Sequence, residues 1–207
     1  MAKLIRRGAE AEIYLSEWMG RKVIVKKRVK KRYRIKEIDE ELRKHRTKKE
    51  GMLMTSARKA GVAVPIIYDV DLAGMKITMQ YVEGKILKEC LDEMDAGEQK
   101  NVCGKIGESI AALHRNGIIH GDITTSNLIL CGENVHFIDF GLGEISREEE
   151  KQGVDLHLLM EAFKAAHDNR ELFGWVMESY RKNYEMAGII EKKLDEICGR
   201  GRYVVRG

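Results

Sequence analysis

Residues 120–127 read HGDITTSN, and residues 138–141 read IDFG after two short apolar runs. These segments place two acids and an amide, Asp122, Asn127 and Asp139, in the turns around a predicted strand pair. Carboxylate and amide oxygens suit a hard cation such as Mg²⁺, which binds through a few side chains together with substrate phosphates. We therefore predict Asn127 and Asp139 as metal ligands and Asp122 as the group that faces a nucleophile.

The chain before this stretch is rich in short strand patterns. They predict strands at 4–7, 13–16, 22–26, 66–71 and 76–81. Between the third and fourth strands, a run rich in Glu, Leu, Arg and Lys predicts one long helix from Ile35 to Ala60, which Gly61 ends.

From Glu83 onward the pattern becomes mainly helical. It predicts helices at 87–92 and 98–115, the strand pair 128–130 and 135–138, and helix from Gln152 to Gly199. We expect an α+β bilobal fold with a small β-rich lobe plus the long helix, residues 1–82, and a reduced helical lobe, residues 83–207. A hinge is predicted near Tyr81 to Gly84.

Composition bounds the class of protein. Of 207 residues, 43% are apolar and 34% charged, which predicts a soluble folded protein rather than a disordered one. The four cysteines have neither zinc nor disulfide spacing, so we expect reduced and mostly buried thiols. No apolar run is long enough for a signal region or a membrane span, so we expect a cytoplasmic protein without membrane contact.

The order H-x-D-x-x-x-x-N then D-F-G resembles the catalytic and metal-binding loops of the protein-kinase superfamily. The resemblance implies ATP and Mg²⁺ as cofactors, with Asp122 orienting or deprotonating the attacking group. Residues 23–26, VIVK, resemble the third strand of that fold, whose lysine contacts the α- and β-phosphates. Lys26 takes that role here, and Glu50 is its expected ion-pair partner, with Glu40 and Glu41 as competitors.

Other expected nucleotide contacts follow from position in this fold. Gly8, Ala9, Glu10 and Ala11 stand where a glycine-rich loop covers the phosphates, yet only Gly8 is glycine, and Glu10 suggests that the loop approaches them differently. At the hinge, the expected nucleotide contacts are Gln80 and Val82. Lys27 should project away from Lys26, because side chains alternate along a strand.

Departures from the kinase pattern narrow the expected function. Gly121 replaces an arginine that pairs with phosphorylated activation loops, and Thr124 replaces a lysine near the γ-phosphate. No Ala-Pro-Glu follows IDFG, so the activation segment and the peptide-docking platform are expected to be missing or vestigial. Asp155 is either a buried acid that supports the catalytic loop or an exposed acid at a helix start.

Across essentially its whole length the chain resembles the PRPK family, the small kinase-like subunits of the KEOPS complex. The features are the G-A-E-A loop, H-G-D-I-T-T-S-N, D-F-G-L-G and an Arg-Gly-Arg tail. The resemblance implies an atypical serine/threonine kinase and ATPase that takes part in making threonylcarbamoyladenosine in tRNA. The partners it implies are a threonylcarbamoyl transferase subunit and small adaptor proteins.

Two basic segments are candidate tRNA contacts. The tail contributes Arg200, Arg202 and Arg206, and the stretch Lys27 to Lys36 either contacts tRNA phosphates or forms a solvated face. Competing functions are an autonomous RIO-type protein kinase, a non-catalytic kinase-shaped scaffold for RNA or protein, and an aminoglycoside-type small-molecule kinase. The phosphoryl acceptor, whether water, this chain or a partner, stays open.

Overall fold

The computed structural model describes residues 2–31 and 33–203, and side chains as far as residue 200. Its N-terminal part is a five-stranded antiparallel sheet in the order β1-β2-β3-β5-β4. The strands are β1 Lys3–Arg7, β2 Ala11–Trp18, β3 Arg21–Arg28, β4 Ile67–Asp71 and β5 Lys76–Gln80. All five predicted strands are present. The second and third are longer than predicted because Met19 and Gly20, both at positive φ, form a two-residue hairpin turn between them.

The predicted long helix is present as α1, Lys36–Lys59. It ends in the predicted way: Gly61 has a φ of +89°, its N–H donates to the Arg58 carbonyl, and the N–H of Val62 donates to the Ala57 carbonyl. Leu53 and Met54 on its inner face are buried in the main apolar core. This packing holds α1 against the sheet on one side and against residues 118–119 and 144–145 on the other.

The remaining helices are α2 Leu87–Cys90, α3 Ala96–Arg115, α4 Glu149–Ala166, α5 Leu172–Asn183 and α6 Ala187–Tyr203. Helices α3 and α5 cross closely at Gly107, where a Cβ atom would lie 2.2 Å from the Val176 carbonyl oxygen. Asp95 and Glu98 form a capping box that starts α3 two residues before the predicted position.

The prediction of continuous helix from Gln152 to Gly199 was wrong in two ways. The helical run is interrupted at 167–171 and 184–186, and its first helix begins at Glu149. The acidic side chains of Glu149 and Glu150 lie in the first turn of α4, where they interact favourably with the partial positive charge of a helix start. These two acidic residues therefore form part of the N-terminal turn of α4.

Five short strands surround residues 120–127 and 138–141. They are β6 Lys85–Ile86, β7 Ile118–Ile119, β8 Leu128–Cys131, β9 Asn134–Phe137 and β10 Glu144–Ile145. The sequence predicted the β8–β9 pair but missed β6, β7 and β10, because two residues are too few to show a periodic pattern. Strand β10 pairs with β7, so the chain returns to the entry of the catalytic loop three residues after Gly141.

The architecture agrees with the predicted α+β kinase-like fold. All four cysteines are free; Cys90 and Cys103 are buried, whereas Cys131 and Cys198 are half-buried. Within the part of the chain that the structure describes, none of the helices has the length and apolar character that crossing a bilayer would need.

Candidate active site

Strand β3 and helix α1 bring together a buried group of charges. Nζ of Lys26 donates to Oε1 of Glu50 at 2.6 Å, so the predicted ion pair forms, and the competitors Glu40 and Glu41 are exposed. Nη2 of Arg28 donates to the other carboxylate oxygen of Glu50, also at 2.6 Å. Side chains alternate along β3, so Lys26 and Arg28 face inward while Lys27 is exposed, as predicted.

Lys26 also joins this group to the IDFG segment. Its Nζ donates to Oδ1 of Asp139 at 2.7 Å. Burial by itself would lower the pKa of Lys26, but the carboxylates of Glu50 and Asp139 outweigh it, so this pKa lies above its ordinary value. Burial would likewise raise the pKa of Asp139, but the Lys26 ammonium outweighs it and holds this pKa below its ordinary value. Both side chains are therefore charged at neutral pH.

The catalytic loop brings Asp122 and Asn127 together. The Asn127 side-chain amide donates to both the backbone carbonyl and Oδ2 of Asp122, each at 2.9 Å. Within the described residues, Oδ1 of Asn127 and Oδ2 of Asp139 accept no hydrogen bond. Two uncommitted oxygens in one cleft beside a lysine fit the few side-chain ligands that Mg²⁺ takes when it is shared with phosphates. Asn127 and Asp139 are thus the residues that would hold the metal.

Asp155 supports this loop. Of the two environments predicted for it, a buried one and an exposed one, the structure shows the buried one. The residue is fully buried on α4, and its two carboxylate oxygens accept the N–H groups of His120 and Gly121, each at 2.7 Å. His120 accepts the N–H of Asp122 on Nδ1 at 3.3 Å, and its Nε2 donates to the Ile138 carbonyl at 3.1 Å. Burial lowers the pKa of His120, so the ring is neutral. It links the loop at residues 120–127 to the IDFG segment.

A second buried histidine holds the middle of the loop. Nε2 of His167, in the segment between α4 and α5, lies 3.1 Å from the hydroxyl of Thr125, and its Nδ1 lies 2.9 Å from Oδ2 of Asp92. Thr125 and His167 are 1% and 4% exposed. No local pattern predicts this contact, because the three residues come from separate elements.

The site opens into a cleft with two parts that share Lys26, Asn127 and Asp139. The inner part has a volume of about 430 Å³ and lies against the hinge; apolar side chains line much of it, among them Ile13, Ile24, Met79, Val82, Ile129 and Ile138. The outer part, about 290 Å³, adds Asp122, the residues 8–11 and two arginines, Arg28 and Arg46. An apolar slot that leads into a charged end fits a purine base with a phosphate chain.

The predicted hinge contacts line the inner part in different ways. Val82 is 7% exposed and presents an apolar side chain. The Gln80 side chain accepts the N–H of Ile66 through Oε1 at 3.2 Å, so it is engaged in holding the chain next to Pro65. The backbone N–H of Gln80 also donates to the Ile66 carbonyl, at 2.8 Å, so a nucleotide contact from Gln80 would not use that N–H.

The loop Gly8 to Ala11 covers the outer part of the cleft, as its position in the sequence predicts. Gly8 and Ala11 close a tight turn, in which the N–H of Gly8 donates to the Ala11 carbonyl at 2.9 Å. The carbonyl of Ala9 accepts from Nζ of Lys31, and the carboxylate of Glu10 pairs with Nη1 of Arg46 at 2.9 Å. Glu10 is thus held by a cation of α1.

The basic stretch Lys27 to Lys36 is less open to RNA than the sequence suggested. Arg28 is 6% exposed and committed to Glu50, and Arg34 lies 3.8 Å from the buried carboxylate of Asp39. Lys27, Lys30 and Lys36 are the exposed cations of the stretch, and Arg32 lies outside the described residues.

Only part of the predicted basic tail can be placed. Arg200 is on α6 and pairs with Glu150 at 2.6 Å, although its side chain is 63% exposed. The side chain of Arg202 and the whole of Arg206 lie outside the described residues.

Three arginines of the cleft were missed: Arg6 on β1, Arg28 on β3 and Arg46 on α1. Two of them carried a usable signal. Arg28 follows Lys26 by two residues on the same strand, and Arg46 precedes Glu50 by four residues on the same helix. Those spacings put each pair on a common face.

Comparison with known proteins agrees with this geometry. The family described as protein kinase domain matches residues 3–165. A solved structure of a Rio2 kinase-ADP/Mg²⁺-phosphoaspartate complex from Chaetomium thermophilum superposes with a TM-score of 0.65 at 15% identity, covering 98% of this chain and 72% of that chain. At this identity the likeness shows the fold alone.

Curated relatives are similar over nearly the whole chain. The KEOPS complex subunit Bud32 of Pyrococcus abyssi is 47% identical, with 97% of this chain and 96% of the relative covered. A probable serine/threonine-protein kinase BUD32 homolog of Archaeoglobus fulgidus is 42% identical, with 96% and 95% covered. A probable bifunctional tRNA threonylcarbamoyladenosine biosynthesis protein of Methanothermobacter thermautotrophicus is 44% identical, and the chain spans 36% of its length.

Proposed function

The chain belongs to the Bud32 family within the protein kinases, and from that premise we propose that it is an atypical Mg-ATP-dependent serine/threonine kinase and ATPase. Its place is as a subunit of the KEOPS complex, in the synthesis of threonylcarbamoyladenosine in tRNA. Residues 1–82 form the lobe that binds the nucleotide phosphates, and residues 83–207 form the lobe that carries the catalytic loop.

One observation carries the proposal. Lys26 lies between Glu50 and Asp139, at 2.6 Å and 2.7 Å, and beside them Asn127 is tied to Asp122. A buried ion pair adds little net stability, because each charge loses its hydration. The presence of this group in a cleft therefore favours a functional role. The set contains a phosphate-binding cation, two oxygen ligands and a carboxylate base in one cleft, which is what phosphoryl transfer needs.

The chain's own residues divide the work. Lys26 exchanges Asp139 for the α- and β-phosphates and keeps Glu50 as its anchor. Asn127 and Asp139 turn their uncommitted oxygens toward the metal site, where Mg²⁺, when bound, neutralises charge on the phosphates. Asp122, fixed by the Asn127 amide, accepts the proton of the attacking hydroxyl or water as the γ-phosphoryl group leaves ADP.

The short stretch after IDFG limits which groups can accept the phosphoryl group. Only residues 142–148 separate IDFG from helix α4, so this chain offers little surface on which a foreign peptide would lie. Water, hydroxyls of this chain and hydroxyls of a stably bound partner are the acceptors that can reach Asp122. ATP turnover within an assembly fits this geometry better than phosphorylation of diverse substrates.

The partners in this proposal are a threonylcarbamoyl transferase subunit, small adaptor subunits and tRNA, in the cytoplasm. Exposed Lys27, Lys30 and Lys36, together with Arg200 and the tail residues Arg202 and Arg206, are the cations proposed to meet tRNA phosphates. Each such contact adds affinity that falls as salt rises.

The test is ATP hydrolysis by the purified full chain, alone and with the transferase partner and tRNA. We expect Asp139→Ala to abolish turnover with the fold intact, because the cleft loses a metal ligand. Asp69→Ala, which removes an exposed carboxylate of β4, is the matched control and should keep full turnover. Undiminished hydrolysis in Asp139→Ala would overturn the proposed function.

A further inference from the structure

The catalytic loop lacks a cation for the terminal phosphate. Thr124 stands two residues after Asp122, where protein kinases commonly carry a lysine. Transfer of a phosphoryl group builds negative charge on its outer oxygens, and a positive side chain there normally lowers the barrier. The cation must therefore come from another element, or the chemistry proceeds without one.

Two of the four cations that line the outer part of the cleft are already committed. Lys26 is shared between Glu50 and Asp139, and Arg28 is bound to the second oxygen of Glu50. Both side chains are under a tenth exposed, so neither reaches far from its partner. The two cations and the two carboxylates balance, and Lys26 is already assigned to the α- and β-phosphates, so this group leaves no cation for the terminal phosphate.

The other two cations differ in position: Arg6, on β1, lines both parts of the cleft, whereas Arg46 lines only the outer part. Arg46 lies on α1 one turn before Glu50 and lines the outer part of the cleft with Asp122 and Asn127. Its side chain is 33% exposed, and among the described residues its one ion pair is with Glu10 of the phosphate-covering loop, at 2.9 Å. An arginine at this point presents a planar fork of donors that matches a phosphate group.

Glu10 is a replaceable partner. Its side chain is 47% exposed, and an exposed ion pair contributes little to stability. Nζ of Lys31 also lies 3.8 Å from it, but Lys31 bonds the Ala9 carbonyl and is absent from the lining of the cleft. A polyphosphate that enters beneath residues 8–11 brings several negative charges near this carboxylate and repels it. The same charge attracts Arg46.

We infer that Arg46 is the cation that binds the terminal phosphate of ATP, and that Glu10 occupies its guanidinium until the nucleotide arrives. The inference rests on the proposed function and adds a residue to it. Arg46 then supplies from helix α1 the charge that the catalytic loop lacks at Thr124. Glu10 becomes a competitor of the phosphate, which explains an acid in a phosphate-covering loop.

The inference predicts a selective effect on ATP over ADP, because only ATP carries the terminal phosphate. Calorimetry on the full chain would give the affinity of Mg-ATP and Mg-ADP for the wild type, Arg46→Gln, Glu10→Gln and Lys48→Gln. We expect Arg46→Gln to weaken ATP binding by about tenfold or more, with ADP changed by less than about twofold. Glu10→Gln should bind ATP more tightly than the wild type. Lys48→Gln removes a charge from the opposite groove of α1 and should change neither.

The outcomes separate the inference from the proposed function. Equal weakening of ATP and ADP in Arg46→Gln, or no weakening, would overturn the role of Arg46 while wild-type binding and the loss of turnover in Asp139→Ala stand. If Arg46→Gln does not fold, Glu10→Gln decides, since it keeps Arg46; an unchanged ratio of ATP to ADP affinity there would also overturn the inference. A wild-type chain that binds no Mg-ATP would instead remove the proposed function.

Discussion

Gly121 and Leu142 lie so close together that a Cβ atom at position 121 would stand 2.6 Å from the Leu142 carbonyl oxygen. Gly121 also has a φ of +80°, in the left-handed region that other residues rarely adopt. The contact exists because the chain after IDFG turns back at once to form β10 beside β7. The glycine in H-G-D therefore lets the chain after IDFG pass close to the loop at residues 120–127.

Replacement of Gly121 tests this relationship. Gly121→Ala must adopt a strained φ and push the Leu142 backbone away, so we expect a loss of about 3 kcal/mol or more in the free energy of unfolding. Gly132→Ala is the matched control: it has a φ of +57° but open space around the added carbon, and should lose only about 1 to 2 kcal/mol. Urea unfolding measures both. Equal losses would mean that Leu142 moves aside without cost.

The buried charges around Glu50 predict an asymmetry. Glu50→Gln leaves the Arg28 guanidinium buried without a carboxylate, which should cost about 3 to 5 kcal/mol in the free energy of unfolding. Lys26→Met should cost less, because Glu50 keeps Arg28 and the Asp139 side chain is 46% exposed to water. Denaturant unfolding at low ionic strength compares the two. A larger loss in Lys26→Met would contradict this expected order.

Stability should fall as the solution is acidified below about pH 6.5. Burial lowers the pKa of His120 in the folded protein, so below the ordinary histidine pKa the unfolded chain takes up a proton that the folded chain refuses. Burial lowers the pKa of His136 as well, so the unfolding free energy is measured from pH 7.5 to pH 5 in the wild type and in His136→Gln. A decrease that persists in His136→Gln assigns the remainder to His120, whereas a rise in stability on acidification would refute it.

The contact between His167 and Thr125 should matter for turnover. Thr125→Val keeps the shape of the side chain but removes the hydroxyl that His167 bonds, so the catalytic loop loses a tie two residues from Asn127. We expect ATP hydrolysis to fall by between about tenfold and a hundredfold, with nucleotide affinity nearly unchanged. Thr125→Ser keeps the hydroxyl and serves as the control. Full activity in Thr125→Val would show that the loop keeps its position without this hydroxyl.

Much of the fold could be predicted from local patterns. The five sheet strands, α1 with its glycine stop, and the β8–β9 pair each have enough residues to show a period or an end signal. The short strands β7 and β10 could not be predicted, because two residues carry no period. Their pairing depends on Gly121 and Gly143 allowing two backbones to approach, which is a property of segments that meet only after folding.

The sequence by itself determined the chemical groups of the site. Asp122 and Asn127 are five residues apart in one loop and Asp139 follows one strand pair later, so local spacing was enough to predict them together. The resemblance of residues 23–26 to the third strand of the kinase fold predicted Lys26, and the alternation of side chains along that strand would have identified Arg28. Each of these predictions required only a short stretch of sequence.

The tertiary structure decided which charges meet. Lys26 and Asp139 are 113 residues apart, and Glu10 and Arg46 are 36 residues apart, yet each pair is in contact. Whether a basic residue faces RNA or an internal carboxylate depends on what packs over it, as exposed Lys27 and buried Arg28 show on one strand. Burial and pairing are set by the approach of distant elements, because the cost of an unpaired charge arises only where folding removes water.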